Sequence, residues 1–314
     1  MGRRPDRLPG AEDSADAGRY RAIFRRLHAR HATCLDDEWL MAACRDRRGR
    51  PLDRPVVWSR RNGPWRQVDV LWTGAAPGND GGRGGGERGA HGTRIPFGGD
   101  IAGANLEVLF GSIGLDRNRT FISASLNELP AAGGGEPTNA ELLAPRGEYP
   151  NSIAVVRDTL LAAGPSLIVA LGNVALRVVV AAVRTQADRL PSIDALRREG
   201  WDRGRMRLLD DDASGHFLEH WQGAWRDPLP SVLWLVHPSA QNMSPYARRE
   251  TVFHTRMVDA VSALRGAVGE RLGWQLPDER PAPPADGIYA LPEWRERIAP
   301  RNAHLDRLWR EKGV

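Results

Sequence analysis

Apolar residues recur along the chain in two rhythms. Short apolar-rich runs at Val68-Asp69-Val70-Leu71-Trp72-Thr73, at 119–126, at 166–172 and at Val232-Leu233-Trp234-Leu235-Val236 have the length and the flanking Gly and Pro of buried strands. Between them the apolar positions shift to helical spacing. Tyr20, Ile23, Phe24 and Leu27, then Leu35, Trp39, Leu40 and Ala43, predict two helices broken near Thr33-Cys34. Leu106, Leu109, Phe110 and Ile113 predict a helix over 102–113, and further helices follow at 153–163 and from Asn173. Val252, Met257, Val258, Val261 and Leu264 predict a last amphipathic helix over 251–268. Strands alternating with helices predict an α/β fold: a three-layer α/β/α sandwich around a mostly parallel sheet of four to five strands.

The remaining segments lack either rhythm. Residues 1–17 read as a disordered leader, and 45–66 as a basic loop with Trp58 and Trp65 packed beneath it. Residues 79–92 hold glycine at 81, 82, 84, 85, 86, 89 and 92, too many for regular structure, and 130–150 read as a Gly/Pro loop. A polar stretch covers 184–228. Residues 272–314 read as a Pro-rich linker and a charged helical appendage near 292–311, which leaves 18–271 as the α/β domain.

The chain has 314 residues, 41% of them hydrophobic, enough for a sizeable core. No apolar run is long enough for a membrane span, and the first residues lack the apolar stretch of a signal peptide, so a cytoplasmic protein without a membrane partner is expected. Cys34 and Cys44 are too few for a disulfide framework or a four-thiolate metal site. The net charge of +5 permits an anionic partner without establishing one. Lys312 is the only lysine, which disfavours any mechanism that needs an internal amine nucleophile.

In a parallel sheet the strand ends at 74–78, 123–130 and His237 converge where such folds bind ligands. Gly74-Ala75-Ala76-Pro77-Gly78 is neither a P-loop nor a GxGxxG turn, and there is no HExxH or GxSxG. The pairs His28 with His31 and His216 with His220 have helical spacing but no supporting carboxylate pattern, so no metal is expected. By residue type alone, His237 would be a hydrogen-bonded cap on a strand end and Phe97 an ordinary core aromatic.

Four segments in order carry a more specific signal: Gly74-Ala75-Ala76-Pro77-Gly78, Pro96-Phe97-Gly98-Gly99-Asp100-Ile101-Ala102-Gly103, Ile168-Val169-Ala170-Leu171-Gly172 and His237-Pro238-Ser239-Ala240-Gln241-Asn242. Together they resemble the uracil-DNA glycosylase superfamily, most like its family 5, over roughly residues 68–267. The resemblance implies that DNA is the partner and that a base is flipped out of the stack and cut from its sugar. It makes His237 the donor that stabilises the leaving base, Phe97 the face on which that base stacks, and Gly74 and Ala76 part of the base pocket. It places Pro77, Gly78, Gly172, Ser239, Gln241, Asn242 and Met243 at the DNA, with Gln241, Asn242 and Met243 at the tip of an inserting loop.

Departures from the family pattern shape the rest. Ala75 and Ala76 stand where better-known branches carry the acidic residue that positions water, so Asp100 is the first replacement, with Asn79 and Asp80 next. The strand position that matches the base-reading asparagine holds Ala124, which leaves Asn127 or Asn139. Iron–sulfur relatives carry four cysteines, whereas Glu128 and Ser152 stand near two of those places, so a cluster-less variant without cofactor is expected. The sequence thus predicts a monomeric, monofunctional DNA glycosylase without strand cleavage, acting on uracil or a bulkier modified pyrimidine. Removal of hypermodified cytosine from phage DNA in antiviral defence, and a non-catalytic DNA-lesion or nucleotide binder, are the alternatives.

Overall fold

The computed structural model describes residues 15–29, 58–78, 95–98, 101–131, 136–184, 188–209, 229–243, 250–292 and 294–311. Strands β1 (Val70–Gly74), β2 (Phe121–Ala124), β3 (Leu167–Leu171), β4 (Met206–Leu208) and β5 (Ser231–Leu235) form one sheet in the order β2-β1-β3-β5-β4. The pairs among β2, β1, β3 and β5 are parallel, and β4 closes one edge antiparallel to β5. Helices α1 (Ala15–Leu27), α4 (Ser152–Ala163) and α5 (Asn173–Val183) cover one face; α2 (Ile101–Ser112) and α8 (Glu250–Leu272) cover the other. The short helices α3 (Asn139–Leu143), α6 (Ile193–Arg198) and α7 (Ala240–Met243) lie in connections, and α9 (Ala299–Glu311) ends the described chain.

Both faces being covered explains the apolar-rich runs. Strands β1, β3 and β5 are buried along their whole length. Successive side chains on a strand point to opposite faces, so each run splits between two cores. Leu71, Ile168, Ala170, Val232 and Trp234 enter the core under α1, α4 and α5, whereas Val70, Trp72, Leu167, Val169, Leu171, Leu233 and Leu235 enter the core under α2 and α8. Each such aliphatic side chain contributes on the order of 1.5–3 kcal/mol by leaving water. Trp58 and Trp65 are buried as expected, in a ring cluster with Tyr20.

Several expectations need correction. The stretch 130–150 is not all loop: Thr138 and Glu141 form a reciprocal capping box that starts α3, and this Thr-x-x-Glu signal was present in the sequence. The polar stretch 184–228 holds α6, started by the Ser192 side chain, and the three-residue β4, too short to show a period. Helix α1 begins at Ala15, inside the stretch read as leader, and α8 runs on to Leu272. The helix expected at Leu35 to Ala43, both cysteines and the glycine-rich stretch 79–92 lie outside the described residues. Among the described residues no helix is long and apolar enough to cross a membrane.

Candidate active site

Strand order reverses between β1 and β3: β2 flanks β1 on one side, while β3, β5 and β4 follow on the other. At such a switch point neighbouring loops part in opposite directions and leave a crevice beyond the C-terminal strand ends. Gly74 ends β1, Gly172 follows β3, and His237 lies just past the end of β5. A side chain at either glycine would press on a ring-bearing residue. A Cβ at Gly74 would lie 2.9 Å from Phe97 Cζ, and a Cβ at Gly172, whose φ is +93°, would lie 3.3 Å from His237 Cβ. The two bare positions thus let two rings close over the sheet edge, where the Phe97 and His237 centroids are 5.8 Å apart with planes inclined at 38°.

Phe97 is the one described non-glycine residue with a left-handed φ, at 51°. For a bulky residue that conformation costs on the order of 1–3 kcal/mol and persists only where the surroundings over-determine it. Here they do. The carbonyls of Pro96 and Phe97 both accept from the Arg117 guanidinium, the second at 2.8 Å. Gly103, in the first turn of α2, passes so close to the Phe97 carbonyl that a Cβ would lie 2.0 Å from it.

The chain at His237 is fixed by its backbone. Asn105, buried on α2, donates to the Pro238 carbonyl at 2.8 Å, and Asn242 donates from Nδ2 to the His237 carbonyl at 3.0 Å and to Ser239 Oγ at 3.1 Å. The imidazole is therefore aimed by main-chain anchors on both sides and by the glycine wall at Gly172.

The family model of the uracil DNA glycosylase superfamily matches residues 61–260, which span all five strands and both ring-bearing segments. The chain belongs to the uracil-DNA glycosylase superfamily. None of the curated proteins it was compared with matches it.

Other positions that the superfamily resemblance singles out fall into place unequally. Asn127 is buried beyond β2, beside the end of β1, where the Leu126 N–H donates to the Ala75 carbonyl at 2.9 Å. Its Nδ2 reaches only the Ala124 carbonyl, at 3.4 Å, and its Oδ1 has no partner among the described residues. A buried amide oxygen left unpaired costs about 1–3 kcal/mol, a cost that a ligand donor would remove. Asn139 is different: it starts α3 at the surface, and its Oδ1 accepts from Arg177 Nη2 at 2.9 Å.

Met243 is a correction. Expected at the tip of the inserting loop, it is fully buried in the core beneath α2 and α8. The turn that begins α7 carries it inward, its N–H donating to the Ser239 carbonyl, and an unbranched thioether fills core space well. Ala76 and Pro77 are half-buried and Gly78 is exposed where the chain leaves β1. Asp100, Asn79 and Asp80 and the side chain of Gln241 lie outside the described residues; Asp100 immediately precedes Ile101, the first residue of α2. Sequence reasoning missed Arg117 and Asn105, the two side chains that hold the ring-bearing segments. A lone asparagine inside the apolar helix Ile101–Ser112 was the available signal for the second; none existed for the first.

The crevice has a positive rim. Helix α5 starts beside His237 with Gly172 as its cap and no capping side chain, so its dipole puts partial positive charge there. Arg203 donates to Asn173 Oδ1 at 3.2 Å and lies over the Trp234 ring. Partial burial, then the nearby Arg197 and Arg256, push the Arg203 pKa below the ordinary arginine value.

Proposed function

We propose that this protein is a monofunctional DNA glycosylase that flips a damaged or modified pyrimidine into the crevice between β1 and β3 and hydrolyses its N-glycosidic bond. The convergence of Phe97 and His237 over two glycines carries the reading. Base loss passes through an oxocarbenium-like state in which the base departs with negative charge. In this reading Phe97 stacks on the extruded base, His237 donates to its developing oxyanion, and the start of α5 adds favourable potential. Asp100 positions the water, with Asn79 and Asp80 as the other candidates, and Asn127 reads the base edge with its open amide oxygen. Gly74 and Ala76 line the base. Pro77, Gly78, Gly172, Ser239, Gln241 and Asn242 meet the DNA, whose phosphates run past Arg203 and Arg256. With Lys312 as the sole lysine, no Schiff base forms in the core, and the product is an intact strand with an abasic site.

The base is uracil or a bulkier modified pyrimidine. The glycine-rich stretch 79–92 after β1, and Ala124 at the strand position of the base-reading asparagine, favour the enlarged base and a role against phage DNA carrying hypermodified cytosine. Duplexes carrying uracil, hypoxanthine or hypermodified cytosine, incubated with the protein and then treated with alkali, test both levels. Strand breaks are expected only after alkali and on one pyrimidine; binding without breaks on every duplex would leave a non-catalytic lesion binder instead.

The stacking role has its own measurement. Phe97→Ala is expected to remove about 1–3 kcal/mol of base stacking, the range for one base–aromatic pair, and so to slow single-turnover cleavage ~10- to 100-fold. Affinity for undamaged duplex should stay the same. A uniform loss of affinity for all duplexes would mean that Phe97 only supports the fold.

A further inference from the structure

The left-handed Phe97 is held by a buried cation. Arg117 is 1% exposed, and a cation so enclosed persists only if it is paired and fully hydrogen-bonded. Its Nε meets Glu107 Oε1 of α2 at 2.5 Å, while its other nitrogens hold the Pro96 and Phe97 carbonyls. Burial pushes the Glu107 carboxyl up, and Arg117 is the chief group pulling it back toward the charged form.

This pair is completed from the far end of the chain. The Tyr289 hydroxyl accepts the Arg117 backbone N–H at 3.0 Å and donates to Glu107 Oε2 at 3.4 Å. The Trp294 ring lies 5.2 Å from Arg117 Cζ and meets Tyr289 edge-on, with centroids 4.7 Å apart. Ile288, Tyr289, Trp294 and Ile298 then form a third apolar cluster with Ile95, two positions before Phe97.

The same stretch is latched to the core just upstream. Asn118 donates to the Asp286 carbonyl at 3.2 Å and accepts the Ile288 N–H at 2.9 Å. Gly287, with φ +56°, passes too close to Asn118 for any Cβ, which would lie 2.0 Å from Oδ1. Before the latch, Arg280 lays its stem on Gly111 of α2. The segment therefore reaches the Phe97 loop by a fixed route.

We infer that the described residues of 286–298 are a working part of the base pocket, in which Tyr289 is a positioning residue that acts through Glu107 and Arg117 to keep Phe97 in its left-handed, ring-forward conformation. The inference rests on the stacking role proposed for Phe97. A segment that merely added stability would lower the melting temperature without touching the Phe97 loop or the split between binding and cleavage.

Tyr289→Phe keeps the ring and its packing and deletes only the hydroxyl. Hydrogen–deuterium exchange of the 95–98 segment should rise about tenfold, the fold-change one hydrogen bond supports. On whichever duplex of the panel is cleaved, the single-turnover rate should fall about tenfold, with unchanged affinity for a duplex already carrying an abasic site, where no base is left to stack. Arg117→Lys keeps the charge but loses the planar fork that spans two carbonyls, and should show the same pattern more strongly; if it does not fold, Tyr289→Phe decides. Exchange at 95–98 that stays at the wild-type level, or an unchanged cleavage rate in an active enzyme, overturns the inference. If the wild-type protein cleaves nothing, the proposed activity fails, yet the exchange measurement still decides whether this segment holds the loop.

Discussion

His237→Ala is expected to slow single-turnover base release about 100- to 1,000-fold, the usual consequence of deleting one preorganised donor at a developing oxyanion. Duplex affinity should stay near the wild-type value. The backbone at 237–239 is anchored by Asn105, which donates to the Pro238 carbonyl, and by Asn242, which donates to the His237 carbonyl and Ser239 Oγ, and both anchors remain in this variant. Removing the ring therefore leaves the turn, α7 and the Met243 anchor in place. Fluorescence anisotropy on an abasic-site duplex, beside alkali-developed cleavage of the preferred substrate, separates the two effects. Full-rate cleavage by the variant would return His237 to the role of a strand-end cap.

Asp100→Ala is the second large effect, with an expected loss of about 100- to 10,000-fold in the same assay, the range of a positioned general base. Where better-known branches of the superfamily carry the acidic residue this chain has Ala75 and Ala76, so in the proposed reading the carboxylate for the attacking water is that of Asp100, with Asn79 and Asp80 as the other candidates. Asp100 is two positions past Gly98 and adjoins α2, the helix whose Gly103 and Asn105 set the Phe97 carbonyl and the Pro238 carbonyl. Asp100→Asn should lose nearly as much, because the amide keeps the size but lacks the charge. Wild-type turnover in both variants would transfer the role to Asn79 or Asp80, each tested by its own alanine.

The sheet was legible in the sequence because burial on two faces writes itself as apolar-rich runs, and His237 was legible because one such run ends on it. Phe97 and the glycines were legible only as parts of an ordered set of segments. Its left-handed backbone was not, since that conformation is set by Arg117, a residue that reads in sequence as one more solvated arginine. What buries Arg117 is a carboxylate on α2 and a tyrosine from the other end of the chain, and no local pattern reports a partnership over such separations. Met243 misled for the opposite reason: its neighbours Gln241 and Asn242 are polar, and only the helical turn at Ser239 directs it inward. Asn127 and Asn139 were equivalent in the sequence, and burial together with the Arg177 hydrogen bond to Asn139 distinguishes them.

The division of each central strand between two separate cores limits how this protein can diverge. Sliding β1, β3 or β5 by one residue would exchange the contents of the two cores, sending Trp72 and Trp234 to the wrong layers. Insertions and deletions inside the strands are thereby forbidden, and length can change only where the chain leaves the sheet. The glycine-rich stretch 79–92 follows such an exit in the sequence, after the strand whose end meets Phe97. A scaffold built this way can be retargeted to a new base by editing its exits while its interior stays as it is.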